Sequence, residues 1–193
     1  MIIDILQIII NYSKLKNQIA CIQINKHVYH QVYIYSLKCL DNMDQCIIEQ
    51  SKFCNLKILD CKRNNKIKNV NHLANTLEDL NCDWESGVNQ NGISHLKKLK
   101  KMVCCENRRI ESVNHLADTL EILICRFHSR INQEGILSLK SLKFLDCFEN
   151  GSIKNVNHLA ETLEVLYCGS SCGIDQNGIS RLKILRHMDC SYN

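Results

Sequence analysis

The stretch NLKILDCKRNNKIKNVNHLANT, residues 55–76, returns as KLKKMVCCENRRIESVNHLADT at 98–119 and as SLKFLDCFENGSIKNVNHLAET at 141–162. Its first ten positions have a further copy, ILRHMDCSYN, at 184–193. Successive copies begin 43 residues apart. A fixed period of this kind indicates stacked repeats, in which each unit buries its apolar face only against its neighbours.

A second unit lies between these copies. It reads LEDLNCDWESGVNQNGISHLK at 77–97, LEILICRFHSRINQEGILSLK at 120–140 and LEVLYCGSSCGIDQNGISRLK at 163–183. Both units share the frame Leu-x-x-Leu-x-Cys, in which methionine twice replaces the second leucine. Alternate side chains of a strand point to opposite faces, so the second leucine and the cysteine point the same way. The spacing therefore predicts seven short strands in a parallel ladder, with these side chains in the core.

The repeats resemble the cysteine-containing form of the leucine-rich-repeat family over residues 55–193. The second unit carries the tail INQEGI at 131–136, and the first unit carries the family's asparagine at Asn64, Asn107, Asn150 and Asn193. The resemblance implies an α/β leucine-rich-repeat solenoid with a parallel strand ladder on the concave side, short helices and turns on the convex side, and an incomplete last repeat. Cysteine occupies the family's third-leucine position. The family's own cysteine position holds Asn in one unit and Glu85, His128 or Ser171 in the other.

The first 35 residues lack this frame and show the apolar spacing of short helices. The opening DIL at residues 4–6 and the closing NKHVY at 25–29 resemble an F-box, a helical module that binds a Skp-type adaptor of cullin-based ubiquitin ligases. The alternative is a helical segment that only caps the first repeat. Residues 36–54 are expected to be a connector or a degenerate first repeat. The resemblance implies adaptor contacts from Ile5, Leu6, Ile9, Ile10 and Tyr29.

Composition argues against several other classes of protein. The net charge is only +4 and the basic residues are interspersed with acidic ones, so we expect no nucleic-acid partner. The apolar N-terminal stretch is too short to span a bilayer, so we expect no membrane partner. The 13 cysteines include no Cys-x-x-Cys pair. A cysteine ladder places thiols in a row rather than around one ion, so we expect reduced, buried thiols and neither metal nor cofactor.

Catalytic residues are also not expected. No serine, cysteine–histidine pair or carboxylate pair stands outside the repeat pattern in a catalytic arrangement. The recurring His72, His115 and His158 are two repeats apart, roughly 10 Å, which is too far for one metal ion. The residue after the first leucine of each frame alternates in charge, which predicts ion pairs between neighbouring strands. These residues are Lys57, Glu78, Lys100, Glu121, Lys143, Glu164 and Arg186.

The variable positions around each strand are the expected binding surface. Aromatic and arginine side chains are enriched in interface hot spots. The sequence therefore predicts a protein-binding concave face that includes Asp60, Asn81, Asp83, Trp84, Arg126, Phe127, Asp146, Phe148 and Tyr167.

Taken with the F-box resemblance, this surface suggests a substrate receptor that recruits a target protein to a cullin-type ubiquitin ligase. The alternative is a repeat scaffold or binding protein without a ligase role. The paired repeats also resemble giant-virus repeat proteins of amoebae, which implies a host-directed role. We expect a monomer in the cytoplasm, that of the host cell if the chain is viral.

Overall fold

The structure is a computed structural model that describes residues 33–39, 41 and 43–193. In this part of the chain, eight strands of three residues form one all-parallel sheet, and the order of strands in the sheet is their order in the chain. The strands are β1 Ser36–Lys38, β2 Ile58–Asp60, β3 Asp79–Asn81, β4 Lys101–Val103, β5 Ile122–Ile124, β6 Phe144–Asp146, β7 Val165–Tyr167 and β8 His187–Asp189.

Short helices alternate with the strands. Three are single α-helical turns: α1 Gln45–Ile48, α2 Gln90–Ile93 and α3 Gln176–Ile179. The 3-10 helices are Ser51–Phe53, Asn71–Leu73, Asn114–Leu116, Glu134–Ile136 and Asn157–Leu159. The fold is thus α/β, and the predicted repeat-like ladder of parallel strands is confirmed.

The core contains the residues that the frame places there. The middle residue of each strand from β2 to β7 is fully buried, and so are the cysteines two residues later, as far as Cys147. The register pairs each middle residue with its equivalent in the next strand, for example Leu80 with Met102. Burial of one such leucine contributes roughly 1.5–3 kcal/mol. In β8 the equivalent Met188 is 41% exposed, so the last strand has an uncovered edge.

Neighbouring repeats are tied together by side-chain amides. Gln90 accepts hydrogen bonds from the backbone N–H groups of Glu111 and Ser112, both at 3.0 Å, and donates to the Ser112 carbonyl at 3.0 Å. Gln45 makes the equivalent contacts one repeat pair earlier, with Lys68 and Asn69. Gln133 makes them one repeat pair later, with Lys154 and Asn155. The glutamine side chains thus add to the backbone hydrogen bonds between these turns, such as that from Gln90 N to the Arg109 carbonyl at 2.9 Å.

The predicted charge ladder is present as ion pairs between neighbouring repeats. Glu78 lies between Lys57, at 3.5 Å, and Lys100, at 2.9 Å. The hydrogen bond from Lys100 lowers the pKa of Glu78. Two further pairs continue the ladder: Glu121 with Lys143 at 2.8 Å and Glu164 with Arg186 at 3.2 Å.

No helix in the described ranges has the length and apolar character needed to cross a membrane. The predicted F-box-like segment, with Ile5, Leu6, Ile9, Ile10 and Tyr29, lies outside the described residues.

Candidate binding surface

The open face of the sheet is the surface formed by the first and third residues of each strand, which point away from the buried middle residue. On β4 to β7 most of these residues are apolar and partly exposed. We call this group the apolar patch; its members are Val103, Ile122, Ile124, Phe144, Val165 and Tyr167. Neighbouring strands lie about 4.8 Å apart, so four strands extend the patch over roughly 14 Å.

Aromatic rings lie in two groups at the patch. Tyr167 stands between Phe144, with ring centroids 5.6 Å apart, and His187, at 5.3 Å. Phe127 and Phe148 form a separate edge-to-face pair at 6.2 Å, in the turns that follow β5 and β6. Aromatic pairs in this geometry add about 0.5–1.5 kcal/mol to the packing of the two rings, so both groups are held in place before any partner arrives.

Trp84 does not join these rings. It is 39% exposed and lies beside two cations, with Lys62 Nζ at 5.6 Å and Arg63 Cζ at 5.4 Å from its ring centroid. Cation–π contacts at an exposed site are worth about 0.5–1 kcal/mol. The Trp84 ring therefore belongs to a basic and aromatic site in the turn after β3, the strand next to β4.

The predicted Arg126 and Asp146 form one ion pair. Arg126 Nε donates to Asp146 Oδ2 at 2.6 Å, and Arg126 Nη2 also contacts that oxygen. Asp146 is fully buried, whereas the Arg126 side chain is 43% exposed. The hydrogen bond with Asp146 raises the pKa of Arg126. Asp146 therefore orients the guanidinium group at the edge of the patch and does not itself face a partner.

The acidic and amide residues of the prediction also have local structural roles. The Oδ1 atoms of Asp60 and Asn81 accept hydrogen bonds from the backbone N–H groups of Lys62 and Asp83, at 3.1 and 3.2 Å. Asp146 makes the same contact with Phe148 N at 3.3 Å. These Asx turns end the strands. On β4, β5 and β7 the equivalent position holds Val103, Ile124 and Tyr167 instead of an aspartate or asparagine. These three side chains form no Asx turn and belong to the apolar patch.

Asp83 is nearly buried rather than presented to a partner. Its Oδ1 atom has no hydrogen-bond partner within the described part of the chain, and Lys62 Nζ lies 3.9 Å from Oδ2. Burial raises the pKa of the Asp83 carboxyl group. Of the nine predicted face residues, Asp83 and Asp146 are thus buried, and the other seven are at least partly exposed.

The sequence reasoning missed the aliphatic members of the patch. Val103, Ile122, Ile124 and Val165 flank buried middle residues, so the period of two already places them on the open face. Their residue types gave no separate signal, because β-branched side chains favour strands on either face.

Bulky side chains occupy strained backbone positions beside the open face. Trp84 and Phe127, two residues after the cysteines of their repeats, have φ angles of 49° and 58°. Bulky residues rarely adopt this left-handed region, where glycine and asparagine are favoured. The same conformation recurs two residues after the cysteine in the other repeats, for example at Arg63, Glu106 and Ser170, so it is a property of the repeat turn.

The ladder cysteines from Cys61 to Cys147 are buried, and the recurring histidines make contacts between neighbouring repeats. Burial raises the pKa of Cys61 to about 12 and raises the pKa values of Cys82 and Cys125 well above the ordinary range. His72 Nε2 lies 3.1 Å from the Ile48 carbonyl oxygen of the preceding repeat, and burial lowers the pKa of His72. Among the described residues, no group of three or more His, Cys, Asp or Glu side chains is arranged to hold a metal ion.

Neither a protein-family model nor a curated protein matches this chain.

Proposed function

We propose that this chain is a leucine-rich-repeat solenoid that binds a partner protein through the apolar patch and does not catalyse a reaction. The observation that carries the proposal is the patch itself, which joins apolar side chains of four neighbouring strands into one surface. An extended strand face is the usual binding surface of such repeats. Contiguous apolar surface on a protein that carries charge elsewhere is typical of an interaction site.

The surroundings of the patch support the same proposal. Interface cores are apolar and rich in aromatic residues, whereas their rims are polar. Phe144 and Tyr167 lie within the patch, and Arg126 lies at its edge, held by Asp146. The Lys101–Asp79 ion pair, with 3.1 Å between Nζ and Oδ2, borders the other side. The partner surface is thus expected to present an apolar centre, with an acceptor for the Arg126 guanidinium at its margin.

A double variant of the patch, Ile122→Asp/Ile124→Asn, tests this role. The protein already carries Asp79 and Asn81 at the equivalent positions of β3, so we expect the variant to fold. Its partner should be lost, because a polar pair would interrupt the centre of the patch. Interface-centre residues dominate affinity, so the Kd of an identified partner should rise roughly tenfold or more. Affinity capture followed by calorimetry of the captured protein measures the change.

The matched control is Leu137→Asp. Leu137 is a large apolar residue, 46% exposed, that follows the 3-10 helix Glu134–Ile136 and lies away from the open face. This variant should retain the partner with its affinity unchanged. Loss of the partner in the Leu137→Asp variant, or retention in the patch variant, would contradict the proposal.

A narrower role as an F-box substrate receptor is supported by the sequence resemblance of residues 1–35. In this role the N-terminal segment binds a Skp-type adaptor, while the open face binds the target of ubiquitin transfer. We expect the purified chain to bind such an adaptor and the Ile5→Asp/Ile9→Asp variant to lose that binding. The physical reason is that two charges would interrupt an apolar docking surface. Titration of adaptor into each protein measures the difference.

Comparing the two double variants distinguishes binding of the adaptor from binding of the target. Under the receptor proposal, Ile5→Asp/Ile9→Asp loses the adaptor and keeps the target, and Ile122→Asp/Ile124→Asn does the reverse. If the folded wild-type chain does not bind the adaptor, the receptor role is wrong, and a binding protein or scaffold without a ligase role remains.

A further inference from the structure

A buried contact between a ladder cysteine and a side chain of the next repeat recurs every 43 residues, and the residue type of the partner changes in the last copy. Cys61 Sγ lies 3.7 Å from Ser86 Oγ, and Cys104 makes the equivalent contact with Ser129. In the next copy the partner is a cysteine: Cys147 Sγ lies 3.6 Å from Cys172 Sγ. The first two contacts pair a thiol with a hydroxyl and cannot form a disulfide. The third brings two free thiols together from neighbouring repeats.

We propose that Cys147 and Cys172 are an oxidation site, in which the Cys172 thiolate attacks a hydroperoxide and Cys147 resolves the product to a disulfide. The two sulfurs differ in access. Cys147 is fully buried, whereas Cys172 is 8% exposed and lines an open cavity of about 390 Å³ together with Cys190 and Asn193. A small oxidant therefore reaches Cys172 first, and the Cys147 sulfur lies in contact with the Cys172 sulfur.

The electrostatics agree with this division of roles. The hydrogen bond from the Cys147 thiol, opposed by burial and helped by the backbone N–H groups of Ile174 and Gly173, lowers the pKa of Cys172 to about 7. The same contact, together with burial, raises the pKa of Cys147. Because the thiolate is the nucleophile, Cys172 is the reactive member of the pair near neutral pH.

The chemistry balances with hydrogen peroxide as the oxidant. The Cys172 thiolate attacks one peroxide oxygen and the O–O bond breaks, which gives a sulfenic acid at Cys172 and hydroxide. The Cys147 sulfur then attacks the sulfenic sulfur, the S–O bond breaks, and the thiol proton leaves with the oxygen as water. Over both steps the two sulfurs lose two electrons. The proton that Cys172 releases on ionisation converts the hydroxide to water, so one peroxide is reduced to two waters.

Oxidation of the reduced full-length chain with hydrogen peroxide, followed by alkylation in acid and non-reducing peptide mapping, tests the proposal. Trypsin cleaves after Lys143, Lys154 and Arg181, so Cys147 falls in peptide 144–154 and Cys172 in peptide 155–181. We expect a disulfide between these two peptides whose mass is lower by two hydrogen atoms. The initial rate should rise roughly tenfold between pH ~6 and ~8, as Cys172 becomes the thiolate.

Two variants assign the bond, because peptide 155–181 also contains Cys168. Cys172→Ser restores the residue found at Ser86 and Ser129, so it should fold and lose the link. The Cys168→Ala variant should keep the disulfide link. The proposal fails if the wild type oxidises only at the exposed Cys46, Cys54 and Cys190, or if the Cys172→Ser variant still forms the link.

Discussion

A Gly135→Ala substitution is expected to lower the free energy of unfolding by about 3 kcal/mol, through overpacking between two backbones. A Cβ atom on Gly135 would lie 2.0 Å from the Glu111 carbonyl oxygen and 2.9 Å from Ser112 Cα, both in the preceding repeat. The repeats cannot separate freely there, because Val113 N donates to the Gly135 carbonyl at 2.9 Å. Chemical denaturation, with the transition followed by circular dichroism, measures the loss.

Gly151→Ala is the matched control for this prediction. A Cβ atom on Gly151 would meet only the Ser171 carbonyl oxygen, at 3.5 Å, which is an ordinary contact. Its φ angle is not positive, so alanine is tolerated there without strain. The free energy of unfolding should change by less than about 0.5 kcal/mol. Equal losses in the two variants would contradict close approach of the repeats at Gly135 as the cause.

The recurrence of this glycine explains why the repeats keep one spacing. Gly92 and Gly178 meet the Lys68 and Lys154 carbonyl oxygens at 2.0 and 2.2 Å from an added Cβ atom, as Gly135 meets that of Glu111. Each copy of the second unit thus has a glycine at this position, where the backbone of the preceding repeat leaves room only for a hydrogen atom. The sequence shows the conserved spacing of these glycines within the chain, but the reason for it lies in contacts between repeats.

The strand ladder could be predicted from the sequence because its signal is local and repeated. In Leu59-Asp60-Cys61, the period of two alone fixes which side chains share a face, and the constant step between copies sets the register. The prediction of ion pairs through Glu78 succeeded for the same reason, since equivalent positions of neighbouring strands lie side by side.

The turns could not be predicted from spacing alone. Counting from the cysteine placed Glu85 and Ser171 at the family's inward position, but the structure turns Ser86 and Cys172 inward instead. The inward residue lies four residues after the cysteine in the second unit, against three in the first, and the pairs Trp84–Glu85 and Ser170–Ser171 before it have successive left-handed conformations. The residue types do not predict these left-handed conformations, because none of the four residues is a glycine or an asparagine.

The surface was partly predictable, with errors that depend on neighbouring repeats. Tyr167, Phe127 and Phe148 lie at least partly exposed, as expected for a binding surface. The burial of Asp146 could not be foreseen, because its ion pair is with Arg126 of the previous repeat. Contacts of this kind join residues about 20 positions apart, and a strand pattern does not specify them.

Asn107→Ala is expected to lower the free energy of unfolding by about 4 kcal/mol, because several buried polar groups would lose their partners together. The Asn107 side chain is buried, and its Nδ2 atom donates to the carbonyl oxygens of Cys82, at 2.9 Å, and Val88, at 3.1 Å. Its Oδ1 atom accepts from Arg109 N at 2.9 Å. Alanine would leave two carbonyl groups and one N–H group without these bonds. Urea denaturation measures the loss.

Two further variants test whether the loss of stability comes from the Asn107 hydrogen bonds and not from the removal of any asparagine. Asn91→Ala removes an exposed asparagine from α2, whose backbone carbonyl still accepts from Asn71 Nδ2 at 2.7 Å, so stability should change by less than about 0.5 kcal/mol. Asn107→Asp keeps the acceptor for Arg109 N but cannot donate to either carbonyl group when ionised. It should therefore be at least as destabilising as alanine at neutral pH, since it also buries a charge. If Asn107→Asp instead retained the wild-type stability, the two donated bonds would not be what joins these repeats.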